Sequence, residues 1–350
     1  MITRELWGKC PVSGKEIYRY TIVNGTGASV QLSSLGAGVV AITVPDRNGA
    51  LADVVLGYPH AGDYYNDGPC AGKVPGRYAN RIAEGRFTLD GTEYRLPINN
   101  GPNHLHGGPE GFQNQVWDSA VEGDAVVFTY RAHSGEMGYP GELLATARYE
   151  WSDADELTLA LSAKSTAPTV VNLTNHTYFN LNGEGTGSVL EHTLKLKAKG
   201  WLPTSDSLIP TGEIAPVAGT PMDFTSEKPL GRDIKEPFAA LEYGKGYDNC
   251  WVIDDYRPGV VQEIAQLYSE ASGRELKVST SQPGVQVYTG NWLAGCPKAK
   301  SGVDYADYDG VAIECQNFPD APNKPGFPSA VLRPGETYRQ YIKFAFGVRK

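Results

Sequence analysis

Short segments of alternating apolar and polar residues, separated by turn residues, recur along this chain and constrain its fold more than any other feature. In the segment "RFTLDGTEYRL", Phe87 and Leu89 alternate with polar residues, Asp90-Gly91 interrupts the run, and Tyr94 and Leu96 resume it. Asp-Gly between two such runs is a strong signal for a β-hairpin. The segment therefore predicts two antiparallel strands joined by a tight turn.

The same pattern occurs in other parts of the chain. The segment "ATARYEWSDADELTLALSAKS" predicts a second hairpin with its turn at residues 152–155. The C-terminal segment predicts a strand with one face formed by Tyr338, Ile342, Phe344, Phe346 and Val348. Further strand candidates are "YRYTIVN", "VVAITVP", "AVVFTYRA", "EHTLKLKA", "ELKVST", "VQVYTGNW" and "GVAIECQN". No long stretch has helical periodicity, so we predict an all-β fold, a large antiparallel β-sandwich, as one domain over residues 1–350.

Composition excludes several classes of function. A net charge of -9 argues against nucleic acid or an anionic membrane as the main partner, since both favour clustered Lys and Arg. No run of 18 apolar residues predicts a membrane span, and the N-terminus lacks the apolar core of a signal peptide. The cysteines are odd in number and scattered, which predicts reduced thiols in a cytoplasmic protein: Cys10, Cys70, Cys250, Cys296 and Cys315.

The segment "PNHLHGG" contains His104 and His106, two of the six histidines of the chain. Two residues apart on an extended segment, they would face the same side, a spacing that can suit zinc. A metal site would need further ligands, and the neighbouring sequence offers neither a cysteine pair nor a carboxylate cluster. We therefore predict no metal. Whether these histidines are hydrogen-bonded structural residues or catalytic ones stays open from the local sequence.

The segment "VNLTNHTYFNLNG" places His176 among an unusual number of amide side chains. Amides donate and accept hydrogen bonds to hydroxyl groups, and the neighbouring aromatic rings Tyr178 and Phe179 could cover the apolar face of a sugar. A polar loop held by Asx turns would show the same composition. The local sequence does not decide between a sugar pocket and such a loop.

Glu314 lies within a strand-like apolar run, after Val311 and Ile313 and before Cys315. Charged side chains are rarely buried without a partner. This carboxylate is therefore expected either to pair with an arginine or to have a shifted pKa and a function.

Three further segments hold polar residues that could contact a ligand. Arg81, which follows Asn80, is either a solvated charge or a donor to ligand oxygens. Asp248 follows a Gly-Tyr pair and is either a turn residue or an acceptor for two neighbouring hydroxyls. The segment "SQPGVQVYTGNWL" contributes Gln286 and Trp292.

Taken in order, these segments resemble the aldose 1-epimerase, or galactose mutarotase, family. The match is carried by "GRYANRIAEGRF", "NHLHGGPEGF", "NLTNHTYFNLNG", "YDNCWVI", "QPGVQVYTGNWL" and "ECQNFPDAPNKPGFPSAVLRPGETY", which extend from about residue 35 to the C-terminus. The resemblance implies the β-sandwich of that family, no metal and no cofactor. It also implies a monosaccharide substrate, a free aldohexose such as D-galactose or D-glucose whose α and β anomers are interconverted. It does not fix the preferred sugar, or whether the protein is a monomer or a homodimer.

The resemblance also implies roles for individual residues. His176 matches the general acid, Glu314 the general base, and His106 a third active-site residue, whereas His104 falls outside this set and could line the pocket. Residues expected to hold sugar hydroxyls are Asn80, Arg81, Asp248 and Gln286.

The implied mechanism opens the sugar ring. Glu314 would remove the proton of the C1 hydroxyl, and His176 would protonate the ring oxygen. This scheme needs a protonated histidine near neutral pH, for which Asp248 is a candidate support.

Two rival functions stay open at this stage. One is a hexose-6-phosphate 1-epimerase, for which Lys73 and Arg77 could supply the positive charge near the motif. The other is a sugar-binding protein without turnover. The presence of His106, His176 and Glu314 together argues against a simple binder, because binding alone does not require an acid–base pair.

Overall fold

A computed structural model describes residues 1–349, and most of the regular structure is β-strand. In chain order the strands are β1 (Ile2–Lys9), β2 (Glu16–Val23), β3 (Ser29–Ser33), β4 (Gly38–Pro45), β5 (Leu51–Asp53), β6 (Arg81–Ile82), β7 (Arg86–Leu89), β8 (Thr92–Arg95), β9 (His104–Leu105), β10 (Asp118–Glu122), β11 (Ala125–Ala132), β12 (Leu143–Trp151), β13 (Glu156–Ser165), β14 (Thr169–Val170), β15 (Tyr178–Phe179), β16 (Thr193–Leu196), β17 (Gly200–Trp201), β18 (Ala215–Pro216), β19 (Lys228–Pro229), β20 (Asp248–Val252), β21 (Gln262–Tyr268), β22 (Arg274–Thr280), β23 (Gly284–Tyr288), β24 (Val311–Gln316), β25 (Val331–Leu332) and β26 (Tyr338–Val348). The helical segments are the α-helix α1 (Ala239–Gly244) and the 3-10 turns Ala61–Tyr64, Ala83–Gly85, Phe112–Asn114, Glu136–Gly138 and Ala321–Asn323.

Three antiparallel sheets form the body of the protein. The first contains β1 to β5 in sequence order. The second has nine strands in the order β10-β11-β12-β13-β26-β22-β21-β16-β19, and the third has six in the order β15-β24-β23-β20-β17-β18. The nine-stranded and six-stranded sheets pack face to face, as shown by Phe179 of β15 and Phe344 of β26, whose ring centroids are 5.1 Å apart. This arrangement confirms the predicted large antiparallel sandwich.

Strand alternation decides which side chains of the six-stranded sheet enter the core. On β23, Val285 and Val287 join the main apolar cluster, so Gln286 between them points to the opposite face. On β24, Ile313 and Cys315 join the same cluster, and Glu314 points away from it. The sheet therefore buries one face in the sandwich and presents its other face to a polar cavity.

The two predicted hairpins are confirmed by β7–β8 and β12–β13, and each of the other strand candidates overlaps a strand. In the C-terminal strand β26, Ile342, Phe344 and Phe346 are buried, but Val348 is 40% exposed because it extends past the edge of the core. The sequence analysis did not predict β1, all of whose residues are exposed or half-buried. Among residues 1–349, no helix combines the length and apolar character needed to cross a membrane.

Candidate active site

A cavity of about 800 Å³ opens beside the six-stranded sheet. It brings together six of the seven predicted site residues, which come from distant parts of the chain: Asn80, Arg81, His106, His176, Asp248 and Glu314. The seventh, Gln286, is not among the residues that line it. Loop residues contribute the remaining wall, including the segments 100–102 and 206–208.

Three neighbouring strands of the six-stranded sheet carry the acidic side of the cavity. Gln286 on β23 lies directly opposite Glu314 on β24, and Cys250 on β20 lies opposite Gln286. Asp248, two residues before Cys250, lies on the same face of β20. The Gln286 side chain donates a hydrogen bond from Nε2 to Asp248 Oδ1 at 2.7 Å. Gln286 therefore lies behind Asp248 and fixes the orientation of its carboxylate.

Arg81 is the basic residue of the cavity, and its guanidinium is held from two sides. Its Nε donates to Asn100 Oδ1 at 3.0 Å, and its Nη2 lies 3.7 Å from Asp248 Oδ2. The preceding Asn80 adopts a left-handed backbone conformation with φ of 64°, which asparagine tolerates better than most residues. This turn directs both side chains of the Asn80-Arg81 pair towards the cavity.

His106 is fixed by two hydrogen bonds with the backbone of Asn80. The N–H of His106 donates to Asn80 O at 3.0 Å, and the N–H of Asn80 donates to His106 Nδ1 at 3.1 Å. Because Nδ1 accepts a hydrogen bond, the neutral ring carries its proton on Nε2. His106 therefore offers the cavity an N–H donor.

The glycine that follows His106 is required by close backbone contact. A Cβ on Gly107 would lie 1.8 Å from Gly76 O, so no other residue fits without moving one of the two segments. The left-handed φ of 81° at Gly107 adds a second reason. The "HGG" part of the segment thus locks the loop that carries His106.

The donor atoms of His106, His176 and Glu314 all lie within 4.8 Å of one another, a spacing that could suggest a metal site. The chemistry of His106 does not fit one. Its Nδ1 lone pair is used by the Asn80 N–H, and its Nε2 carries the proton. A neutral His106 thus has no free lone pair for a metal ion, and these residues do not form a suitable ligand set.

His176 lies in an irregular segment between β14 and β15 that hydrogen-bonds to a neighbouring loop. The N–H of His176 donates to Lys73 O at 2.9 Å, and its carbonyl accepts the N–H of Gly72 at 2.9 Å. The sequence left open whether the surrounding amides form a sugar pocket or a polar loop. In the structure three of them bind backbone groups of the protein: Asn172 Nδ2 donates to Ala79 O, Asn175 Nδ2 to Gly72 O, and Asn180 Nδ2 to Asp309 O. His176 and Tyr178 are the residues of this segment that line the cavity.

The side chains of His176 and Glu314 meet at the inner end of the cavity. His176 Nε2 lies 3.4 Å from Glu314 Oε1, and the two residues are 4% and 2% exposed. Burial lowers the pKa of His176 to about 4 and raises the pKa of Glu314 well above its usual value. Both shifts favour the neutral forms of the two groups, with a proton on Glu314.

This protonation state corrects the expectation of a histidine that is charged near neutral pH and supported by Asp248. Asp248 makes its ion pair with Arg81, and its charge raises the pKa of Glu314 further. The Arg81 charge acts on Glu314 in the opposite direction. Glu314 itself is the carboxylate beside His176, and no arginine lies within ion-pair distance of Glu314 among the residues described.

His104 does not line the cavity, contrary to the expectation that it could. It is fully buried, its Nδ1 lies 2.6 Å from Pro97 O, and its Nε2 lies 2.8 Å from Tyr139 Oη. The Pro97 carbonyl can only accept, so Nδ1 carries the proton and Nε2 accepts from the tyrosine. Burial lowers the pKa of His104 to about 4. His104 is thus a neutral, hydrogen-bonded structural residue.

Several cavity residues escaped the sequence analysis. Tyr288 follows Val287 on β23 and lines the cavity beside His176, with ring centroids 6.4 Å apart. Asn100 and the segment 206–208 also line it. The alternation of β23 could have indicated Tyr288, which has the same parity as Gln286 and faces the same side. The loop residues carry no local pattern that would have revealed them.

A cavity with a buried imidazole–carboxylate pair at its inner end, on a large β-sandwich, is typical of an enzyme that acts on a small molecule. The family model described as aldose 1-epimerase matches residues 18–345. Galactose mutarotase of Sus scrofa is 41% identical over 347 residues, with 99% of each chain covered, and aldose 1-epimerase of Escherichia coli K12 is 35% identical, covering 93% of this chain and 94% of its own length.

Solved structures agree with these matches. The aldose epimerase homologue from C. elegans superposes with a TM-score of 0.86 at 34% identity, covering 94% of this chain and 98% of its own. Galactose 1-epimerase from Lactobacillus acidophilus also has a TM-score of 0.86, at 26% identity over 100% of this chain and 99% of its own. The chain belongs to the aldose 1-epimerase family and is accordingly an enzyme, an isomerase.

Proposed function

We propose that this enzyme interconverts the α and β anomers of free aldohexoses such as D-galactose and D-glucose. The observation that carries the proposal is the 3.4 Å separation of His176 Nε2 and Glu314 Oε1 at the inner end of a cavity with polar walls. Anomerisation needs one group that takes a proton from the C1 hydroxyl and another that gives a proton to the ring oxygen. The names of the relatives in Sus scrofa and Escherichia coli support the same activity.

Burial favours the neutral forms of both side chains, and we propose that Glu314 holds a proton before a sugar binds and passes it to His176 when the sugar is bound. A sugar hydroxyl that donates to the carboxylate stabilises its charged form, and the nearby Arg81 charge acts in the same direction. Glu314 then removes the C1 proton while His176 protonates the ring oxygen. The open-chain aldehyde rotates about C1–C2, and ring closure on the other face reverses both transfers.

His106 supports this chemistry as a hydrogen-bond donor. Its ring centroid is 5.3 Å from that of His176, and its Nε2–H is available to the cavity. We propose that this N–H binds the sugar oxygen at the reacting centre and stabilises the charge that develops there. The backbone bonds to Asn80 hold the donor in place before the sugar arrives.

We propose that Asn80, Arg81 and Asp248 bind the other sugar hydroxyls. Carboxylate, guanidinium and amide groups together can accept from and donate to neighbouring hydroxyls. Gln286 acts indirectly, because its side chain holds Asp248 and does not line the cavity. Fixing the sugar in one orientation lowers the entropic part of the barrier.

The charges of the cavity argue against a phosphorylated sugar. Apart from its histidines, the described lining has one basic side chain, Arg81, and three acidic ones, Asp206, Asp248 and Glu314. The two cations considered for a phosphate are used elsewhere. Lys73 forms a buried ion pair with Asp67, and Arg77 donates to Pro140 O and Gly141 O.

The test is polarimetry of freshly dissolved α-D-galactose, α-D-glucose, α-D-xylose and α-L-arabinose, with glucose 6-phosphate as the charged comparison. The proposal expects enzyme-accelerated mutarotation of at least one free hexose and a much lower rate on glucose 6-phosphate. A protein that binds free hexoses without changing their mutarotation rate would instead be a sugar-binding protein, and a preference for the phosphate would favour the second epimerase.

We also propose that the enzyme works without a bound metal or cofactor, as one domain, and in a reducing compartment such as the cytoplasm. All five cysteines are free, and four of them are buried. Free thiols at scattered positions are typical of proteins from such compartments. A monomer and a homodimer are both compatible with this proposal.

A further inference from the structure

Lys73 is a buried cation beside the candidate active site, and the proposed proton transfers do not use it. Its side chain is 1% exposed, and its ammonium forms an ion pair with Asp67, whose side chain is fully buried. Replacing a buried ion pair by neutral residues of similar size is often neutral or even stabilising, because both charges lose their hydration on folding. Stability alone therefore does not account for a charged pair at this place.

The ion pair fixes a segment of the cavity wall. Lys73 Nζ donates to Tyr64 O at 2.5 Å and contacts the Asp67 carboxylate. Asp67 Oδ2 also accepts the N–H of Ala71 at 2.9 Å. Residues 68–69, which follow Asp67 directly, line the cavity. The position of the ammonium thus determines where this part of the wall lies.

The same ammonium contacts the loop that follows His106. Lys73 Nζ lies 3.3 Å from Asn114 Oδ1, and Asn114 Nδ2 donates to Pro109 O at 2.8 Å. Pro109 is three residues after His106 and follows the two glycines of the "HGG" sequence. Lys73 is therefore connected to the His106 loop through a single buried amide.

The backbone of the same residue holds His176. The N–H of His176 donates to Lys73 O at 2.9 Å, and the neighbouring Gly72 N–H donates to His176 O at 2.9 Å. Burial is the main cause of the lowered pKa of His176, and the Lys73 charge lowers this pKa further, as expected for a cation close to the imidazole. Lys73 therefore contacts both histidine-bearing segments, one through its side chain and the other through its backbone.

We propose that Lys73 is a positioning residue whose ion pair with Asp67 sets His106 and His176 in register with each other and with the cavity wall. An ammonium has three N–H groups and can donate to acceptors on three different segments. An apolar side chain could fill the same space, but it could not direct these segments to fixed places. This inference rests on the proposed function, because it concerns the placement of the groups that act on the sugar.

The test compares two double variants that each remove a buried lysine ion pair. Asp67→Asn/Lys73→Met removes both charges and nearly keeps the side-chain sizes. The matched control is Asp233→Asn/Lys228→Met, because Lys228 is 2% exposed, lies 2.7 Å from Asp233 Oδ2, and neither residue lines the cavity. Polarimetry with α-D-glucose gives kcat and KM, and circular dichroism with urea unfolding shows whether each variant is folded.

The folded Asp67→Asn/Lys73→Met variant is expected to lose kcat by roughly tenfold or more, because small displacements of reacting groups are costly. Its KM should stay within about twofold of the parental value, because Arg81 and Asp248 are untouched. The control should keep the parental kcat. If the active-site double variant does not fold, Asn114→Ala, which leaves the ion pair but removes the contact with the His106 loop, should show the same decrease of kcat at similar KM.

The outcomes separate this inference from the proposed function. A wild type that accelerates the mutarotation of no free hexose would overturn the proposed function. An active wild type combined with parental kcat in the folded double variant, or in Asn114→Ala if that variant replaces it, would overturn the positioning role alone. A change of KM without a change of kcat would also overturn it, as would an equal decrease of kcat in the Lys228 control.

Discussion

The imidazole of His176 and the carboxylate of Glu314 approach to 3.4 Å although one lies on an irregular segment and the other in the middle of a buried strand. The backbone of Lys73 and Gly72 holds the histidine, and the neighbouring strands β15 and β23 hold the glutamate. Neither backbone segment can move far without breaking these hydrogen bonds, and burial of both side chains restricts their rotation. The pair is therefore set in place before the sugar binds, as efficient proton transfer requires.

Replacing Glu314 by Gln should remove the base while keeping the size of the side chain. We expect kcat for α-D-glucose mutarotation to decrease by roughly 10²- to 10⁴-fold, the usual contribution of one positioned proton-transfer group. Polarimetry gives the rate directly. Glu242→Gln changes an exposed glutamate of α1 and should retain the parental rate. A parental rate in Glu314→Gln would show that the base assignment is wrong.

Replacing His176 by Asn should remove the acid. We expect kcat to decrease more than the apparent affinity for the sugar, because the binding residues Arg81 and Asp248 are untouched. The comparison needs kcat and KM from initial rates at several sugar concentrations. His133→Asn, at an exposed histidine, serves as the control. An unaltered turnover number would argue against His176 as the acid.

Replacing His106 by Asn tests the donor role of Nε2. Asparagine accepts the left-handed φ of 54° at this position, and its side-chain oxygen can accept the Asn80 N–H in place of Nδ1. The variant therefore keeps the local structure but has no donor at the position of Nε2, because the amide N–H groups of asparagine lie closer to the backbone. We expect kcat to decrease by roughly 10²-fold, the effect of losing one donor at a reacting oxygen. A rate within a factor of two of the parent would exclude this role.

The pH dependence of the rate tests the state of the buried pair. An ordinary histidine would cause an inflection near pH 6.5. Burial lowers the pKa of His176 to about 4, so kcat/KM should show no acid inflection near pH 6.5 and should decrease only as the pair takes up a second proton in more acidic solution. An acid limb centred between pH 6 and 7 would contradict this lowered pKa.

The stability of the protein in acid tests whether His192, which lies outside the candidate active site, is buried in its neutral form. Burial lowers the pKa of His192 to about 4, and its Nε2 accepts the N–H of Leu181 at 2.9 Å. Below pH 6.5 the unfolded chain takes up a proton at His192, whereas the folded chain does not. The contribution of neutral His192 to the free energy of unfolding is therefore complete above pH 6.5 and is lost as the pH falls towards 4.

His192→Gln should remove this contribution. The loss of unfolding free energy between pH 7 and pH 4.5 should become smaller by about 2 kcal/mol, measured by urea unfolding at both pH values. The control variant His133→Gln, at an exposed histidine, should leave the pH dependence of the unfolding free energy unchanged. Equal pH dependence in His192→Gln and the wild type would show that His192 is not a buried neutral histidine with a lowered pKa.

The local sequence pattern correctly predicted the features that depend on a single strand or hairpin, such as the two hairpins and the burial of Glu314. The alternation around Glu314 indicated a buried carboxylate because every second residue of β24 packs in the core. It could not show whether an arginine or a histidine approaches from another segment. The role of the amides around His176 stayed open for a similar reason, since their partners, such as the carbonyls of Ala79 and Gly72, come from distant parts of the chain.

The two histidines of "PNHLHGG" also show that the local sequence pattern cannot decide which side chains reach the cavity. His104 and His106 are two residues apart, yet one is a buried structural residue and the other lines the cavity. His106 has a positive φ and is followed by Gly107, so the chain turns there and the residues no longer follow strand alternation. The resemblance to the family separated them, whereas local periodicity would have placed them on the same side.

The residues that line this site come from two kinds of structure, the strands of the six-stranded sheet and the loops at the mouth of the cavity. The proposed base, Glu314, belongs to β24, whereas Asn100 and the segment 206–208 belong to connections outside the strands of the sheet. Insertions or substitutions in these connections can alter which carbohydrate enters while leaving the proton-transfer machinery intact. A scaffold arranged in this way could evolve, or be engineered, towards longer glycans by loop exchange alone.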